Sequence, residues 1–177
     1  MILEILPLEQ RVFDRYSSFL RSGIVETIKH AIVKQLQGIT FSAKSDSKYW
    51  ITMDGPEAFG GSDAAPRPKE LVLMALGGCT GSDVVAILTK KRVPFDRLEL
   101  RLTAHVRSEH PQIFTDIHVE YVLFGNDINP ADLERAIELS TTKYCSVSAM
   151  IRESVTLTHS YTIEPVLAET PEQLETI

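Results

Sequence analysis

Two cysteines, Cys79 and Cys145, carry the most reactive side chains in this sequence, and they lie far apart along it. A thiolate is a strong nucleophile at neutral pH. One thiolate that attacks a peroxide becomes a sulfenic acid, and a second thiol can condense with it to a disulfide. Such a pair is a reversible two-electron site, provided the two Cα atoms come within about 7 Å. Local sequence gives each cysteine a distinct setting. Gly77 and Gly78 remove bulk beside Cys79, while Thr80 and Ser82 add hydroxyls to an otherwise apolar segment. Cys145 stands at the expected start of a short helix, where unpaired backbone N–H groups stabilise a thiolate. The plainer reading of either residue is a small apolar core side chain.

Other candidates rank lower. Asp83 follows Cys79 by four residues and so shares its helix face. It either approaches the thiol or marks where the helix leaves the core, and the second reading is preferred. The histidines at 30, 105, 110, 118 and 159 form no compact ligand motif with a cysteine. His105 and His118 fall on the wet faces of expected strands, and His159 reads as a hydrogen-bonded core histidine. No metal and no cofactor is expected.

The elements that must position these residues can be read from pattern. Val12, Phe13, Tyr16, Phe19 and Leu20 are spaced as one helix face, from about Leu8 to Ser22. Short strands follow at Ala31–Leu36, Ile39–Lys44 and Tyr49–Met53, separated by turn formers, as in an antiparallel meander. Residues 54–68 are rich in Gly, Pro and Ala and read as a functional or mobile loop. Glu70 to Lys91 is apolar on nearly every side, the mark of a helix buried in its domain. Leu98–Val106 and Ile117–Leu123 alternate strictly, so each has one buried and one wet face, and a short link makes them a hairpin. Asn129–Pro130 opens a second helix. Thr141–Tyr144 breaks its pattern, and Cys145–Ser146 starts a third, to about Glu153. Val155 to Ile163 forms a last strand. The sum is an α+β fold with antiparallel sheet and helices on one face. It is divided into an N-terminal helical extension (1–28), one main domain (29–163) and an acidic tail (164–177).

Composition bounds the rest. The chain has 177 residues, 44% of them hydrophobic, enough for a sizeable core without disulfides or metal. Its net charge of −6 argues against generic nucleic-acid binding. No apolar run is read as reaching the ~20 residues of a bilayer span. The start lacks a basic n-region, so no signal peptide and no membrane partner are expected, and the cytoplasm is the expected location.

LVLMALGGC at Leu71–Cys79, KYCSVSAMI at Lys143–Ile151 and THSY at Thr158–Tyr161 together resemble the OsmC/Ohr superfamily, most closely its YhfA-like OsmC branch. The resemblance runs from about Lys29 to Ile163. It implies an OsmC-like fold, with antiparallel sheets wrapped around two central helices in an intertwined homodimer. It implies a peroxidase that reduces organic hydroperoxides in oxidative or osmotic stress. Cys79 would be the peroxidatic and Cys145 the resolving cysteine, with electrons from an external dithiol reductant. Relatives carry a Glu directly after the Pro before the central helix, where it orients an Arg. Here that position is Lys69, and the acidic residue is Glu70, one step or about 100° further round. Residues 24–54 contain no Arg, leaving Arg21, Arg67, Lys34 and Lys69 as candidate cations. A second reading therefore stands beside the first: a non-catalytic ligand-binding or structural dimer on the same scaffold.

Overall fold

The structure is a computed structural model and describes residues 27–166. The expected N-terminal helix and most of the acidic tail lie outside those residues. The chain forms two compact units, one ending at Ala65 and the other beginning at Pro66.

The first unit is the expected meander: β1 (Ala31–Gln37), β2 (Thr40–Ser45) and β3 (Trp50–Met53), antiparallel in that order. Gly38 makes the first turn with φ 54°, and a Cβ there would stand 2.5 Å from the Gly60 carbonyl oxygen. Ile32, Val33, Leu36, Trp50 and Ile51 are all exposed, so the sheet carries apolar side chains outward.

The loop after β3 is held from within. Asp54 is buried, and its carboxylate accepts from the N–H groups of Gly55 (2.7 Å), Ser62 (3.0 Å) and Ala64 (3.2 Å) and from the Thr40 hydroxyl (3.0 Å). The segment is thus a pinned turn. A Cβ at Gly61 would stand 1.9 Å from the Gly55 carbonyl oxygen, which fixes glycine there. The Gly55 N–H, then those of Ala64 and Ser62 and the Thr40 hydroxyl, hold the Asp54 carboxyl below its usual range against the opposing effect of burial. A depressed folded value means the stabilisation is complete above the ordinary carboxylate range and is lost as pH falls through the folded value. Asp54→Asn should therefore lower the unfolding temperature near neutral pH. The gap from the parent should close as pH drops below about 4. A gap that persists unchanged into acid would contradict this account of the loop.

The second unit opens with α1 (Pro68–Lys91). Pro68 suits the first helical position, and the Arg67 N–H donates to Glu70 Oε2 at 3.0 Å. Arg92 ends the helix in the left-handed region, its N–H bonding Leu88 and Thr89 carbonyls. Leu76, Thr80, Val84 and Leu88 recur every four residues and are buried. The helix is not buried all round: Val72, Met74 and Val85 are 39, 55 and 38% exposed. Uniform apolarity overstated how much of this chain packs against it. It also overturns the expectation of no span-length segment. The helix is 24 residues long with a mean hydropathy of 1.9 in its most apolar stretch, enough by length and composition to cross a bilayer. Core helices of globular proteins meet the same criterion, and here the buried stripe faces a sheet and two helices.

That sheet has the order β4 (Arg97–Val106), β5 (Phe114–Phe124), β6 (Thr156–Glu164). β4 and β5 form the expected antiparallel hairpin. β6 pairs with β5 in parallel, which corrects the all-antiparallel expectation. The chain between them contains α2 (Pro130–Leu139) and α3 (Ser146–Ile151) and crosses back to the starting end, which is what a parallel partner requires. β5 is therefore central, and Tyr121, Val122, Leu123 and Phe124 are buried in succession, against the one-wet-face expectation. His105 is exposed as expected and pairs with Asp116 at 2.5 Å. His118 is half-buried and bridges β5 to β6, bonding Thr158 at 2.9 Å and Ser160 at 2.7 Å. His159 was expected to be hydrogen-bonded. Instead its buried Nδ1 has no partner among the described residues, and burial, with the His118 charge, lowers its affinity for a proton.

Candidate functional site

Cys79 lies in the middle of α1, half-buried, on the side facing α3. Cys145 reaches it through three linked pieces of local structure. Asn129 caps α2, its side chain accepting from the Ala131 N–H at 3.1 Å, and Leu133, Ala136 and Ile137 bury one face. After Leu139 the helix widens into a single π-helical turn, Ser140–Tyr144, at the place where the sequence pattern breaks. The Cys145 N–H closes this turn on the Ser140 carbonyl at 2.8 Å. Such wide turns often mark functional sites. Cys145 then leaves the helical region and becomes the N-cap of α3, its sulfur accepting from the Ser148 N–H at 3.4 Å.

The result is a cluster in which the sulfurs of Cys79 and Cys145 and a carboxylate oxygen of Asp83 all lie within 4.8 Å of one another. Neither cysteine is in a disulfide. Their acidities differ, and in the opposite sense to the one that the position of Cys145 suggested. Burial pushes the Cys79 thiol up, but the Val147 N–H, the Cys145 thiol and the Ser146 hydroxyl (3.9 Å from Sγ) outweigh it. The Asp83 charge opposes them, and the net effect holds Cys79 below the usual thiol range. Cys145 is pushed above it by burial, which the Ser148 hydroxyl and N–H only partly offset. The start of α3 thus favours a thiolate on Cys79, across the gap, rather than on its own N-cap residue.

Asp83 does not mark the helix leaving the core. It accepts from the buried Ser140 hydroxyl at 3.0 Å. Ser140 bonds Thr80 at 2.9 Å, and Thr80 bonds the Tyr121 hydroxyl at 2.7 Å. Thr80, Ser140 and Tyr121 are all at most 1% exposed. This chain of hydroxyls joins α1, β5 and the π turn behind the thiols. The sequence offered one hint of it, a hydroxyl residue next to Cys79, and no hint of its partners.

Glu70 lies elsewhere. It stands nine residues before Cys79, about 13 Å along the helix axis. Its carboxylate accepts from the Arg67 backbone and lies 3.5 Å from the Arg67 guanidinium. An Arg–Glu pair therefore exists at the start of α1, but this chain does not bring it to its own thiols. Lys69 donates to the Gln112 carbonyl at 2.9 Å and lies over the Phe114 ring. Lys34 sits beside Trp50 in the first unit, and Arg21 is outside the described residues. As a donor set, Cys79, Asp83 and Cys145 could hold a thiophilic divalent ion with three protein ligands. No motif in the sequence signals this set, because none of its donors is a histidine and the third is a carboxylate.

Comparison with known proteins agrees with this architecture. The family model described as OsmC-like protein matches residues 60–160. Protein YhfA of Escherichia coli K12 is 44% identical over 133 residues, covering 75% of this chain and 96% of YhfA. The crystal structure of a hypothetical protein from Aquifex aeolicus VF5 has a TM-score of 0.71 at 32% identity, covering 80% of this chain and 100% of that one. An organic hydroperoxide resistance protein OsmC from Legionella pneumophila shares the fold, with a TM-score of 0.60 at 14% identity over 78% of this chain and 98% of that one. With thiols converging from the central helix and a post-π-turn N-cap, and with this extent of sequence match, the chain belongs to the OsmC-like family.

Proposed function

We propose that the protein is a thiol-dependent peroxidase that reduces organic hydroperoxides in a stress response. The observation that carries the reading is the meeting of two thiols of unequal acidity within 4.8 Å. Cys79 attacks the hydroperoxide as thiolate: its sulfur takes the terminal oxygen, the O–O bond breaks and an alcohol leaves after protonation. The Cys79 sulfenic acid then condenses with the Cys145 thiol, forming the disulfide and releasing water. An external dithiol reduces the disulfide and is itself oxidised. The family membership and the name of the Legionella relative, an organic hydroperoxide resistance protein, support the same chemistry.

The working form is proposed to be a homodimer. Exposed apolar residues on the first sheet (Ile32, Val33, Leu36) and on α1 (Met74, Val85) need covering, and a cavity of about 550 Å³ beside Gly77, Gly78 and Gly81 leaves room for close approach.

The test is the fate of the thiols. Stoichiometric cumene hydroperoxide should remove both free thiols, and dithiothreitol should restore them with turnover. The rate should rise with pH and level off below the ordinary thiol value of about 8.5, since Cys79 is the more acidic of the pair. Thiols that survive excess hydroperoxide would refute the peroxidase.

A further inference from the structure

Asp83 stands in a place that the first chemical step does not favour. Its charge works against the Cys79 thiolate. Yet it is held there by a hydrogen bond from buried Ser140, itself tied to Thr80 and Tyr121. A carboxylate so anchored, with an oxygen within 4.8 Å of both sulfurs, suits the second step. There Cys79 is a neutral sulfenic acid, and the obstacle is the proton on buried Cys145.

We propose that Asp83 accepts the Cys145 proton when that thiol attacks oxidised Cys79. The inference rests on the thiol cycle proposed above. The proton moves from Cys145 Sγ to an Asp83 oxygen, directly or through one water. The Cys145 sulfur bonds the Cys79 sulfur as the S–O bond of the sulfenic acid breaks. The departing hydroxide takes the proton from Asp83, leaving water, a disulfide and the original carboxylate. No electron donor is needed, because the sulfenic acid is the oxidant and the Cys145 thiol the reductant.

Other ionisable groups surround this carboxylate. From α1 come Cys79 and, lining the same cavity of about 610 Å³, Lys90 and Lys91. α2 contributes Arg135 and the π turn Tyr144. α3 is preceded by Cys145, and β5 supplies Tyr121 through the hydroxyl chain. Lys91 is paired with Asp132 and Arg135 with Glu138. Burial raises the Tyr121 phenol above its usual range, so it stays a neutral donor around neutral pH. Among the described groups packed here, the Asp83 carboxylate is the acceptor placed to take the Cys145 proton.

The experiment needs no peroxide. One equivalent of dithiodipyridine forms a mixed disulfide on Cys79 and releases one thiopyridone. Attack by Cys145 then releases a second in a concentration-independent phase, absent in Cys145→Ser. In Asp83→Asn the first phase should be faster, because a charge that opposes the Cys79 thiolate is gone. The second should slow about 10- to 100-fold at about pH 7 and gain about tenfold per pH unit up to the thiol range. Asp83→Glu should recover part of the rate and the parent pH profile. Ser140→Ala, which keeps the carboxylate and loses its anchor, should slow the phase less than Asp83→Asn. A second phase within about twofold of the parent in Asp83→Asn would overturn the proposal. So would slowing with the parent's pH profile, which indicates lost structure only. If the parent's thiols resist hydroperoxide while this exchange still depends on Asp83, the peroxidase reading fails and the proton-acceptor role stands.

Discussion

Cys79→Ser should lower hydroperoxide reduction by about three orders of magnitude or more, because a serine oxygen cannot take the terminal peroxide oxygen as sulfur does in forming a sulfenic acid, and so cannot supply the two electrons. Cys145→Ser should behave differently. With one equivalent of hydroperoxide and no dithiol it should form a sulfenic acid trappable by dimedone, and excess hydroperoxide should carry that on to the sulfinic acid instead of a disulfide. The difference follows from the settings of the two sulfurs. Cys79 is half-buried and held below the usual thiol range, while Cys145 is buried and held above it. Steady-state assay with a dithiol, paired with mass spectrometry of the oxidised protein, separates the two variants. Equal loss of the first turnover in both would mean that the roles are not divided in this way.

Thr80→Val should be the most costly change of a single hydroxyl. Valine matches threonine in size, so the change opens no cavity, but it removes the group that joins Tyr121 to Ser140. The Tyr121 hydroxyl, in a side chain with no exposed surface, loses that partner. Leaving a buried polar group unpaired costs about 1–3 kcal/mol. For a chain of this length that is a fall in unfolding temperature of roughly 2–4 °C per kcal/mol. Tyr121→Phe added to Thr80→Val should cost less than the sum of the two single changes, since it removes the orphaned group. Calorimetry of the four proteins closes the cycle. A Thr80→Val midpoint indistinguishable from the parent would show that the network contributes nothing to stability.

Much of the fold can be read from local pattern. The alternation of Leu98, Leu100, Leu102 and Ala104 places β4, and Asn129–Pro130 places the start of α2. These signals are local, and so they survive without tertiary knowledge. What they cannot carry is direction and neighbourhood. A period of two residues is the same for a parallel and an antiparallel partner, so the pairing of β6 with β5 was not visible. The same gap explains the site. Both cysteines are conspicuous by type, and the break at Thr141–Tyr144 is conspicuous by its lost helical spacing. That the break is a π turn aiming Cys145 at Cys79 depends on packing between elements distant in sequence. Asp83 was placed on the correct helix face, but its role was decided by Ser140, a residue with no chemistry of its own to attract notice. The acidity order runs against the local pattern at Cys145 for a related reason: the donors at the start of α3 serve the sulfur opposite them.

The π turn makes the site sensitive to chain length rather than to residue type. Five residues, Ser140–Tyr144, turn the chain between α2 and Cys145. Deleting any one of them, with both cysteines untouched, would let the helix run on in regular α-geometry. Everything downstream would swing by about 100° and retreat about 1.5 Å along the axis. Cys145 would then face away from Cys79. In an alignment such a chain would keep both thiols, yet a one-residue gap would disconnect them.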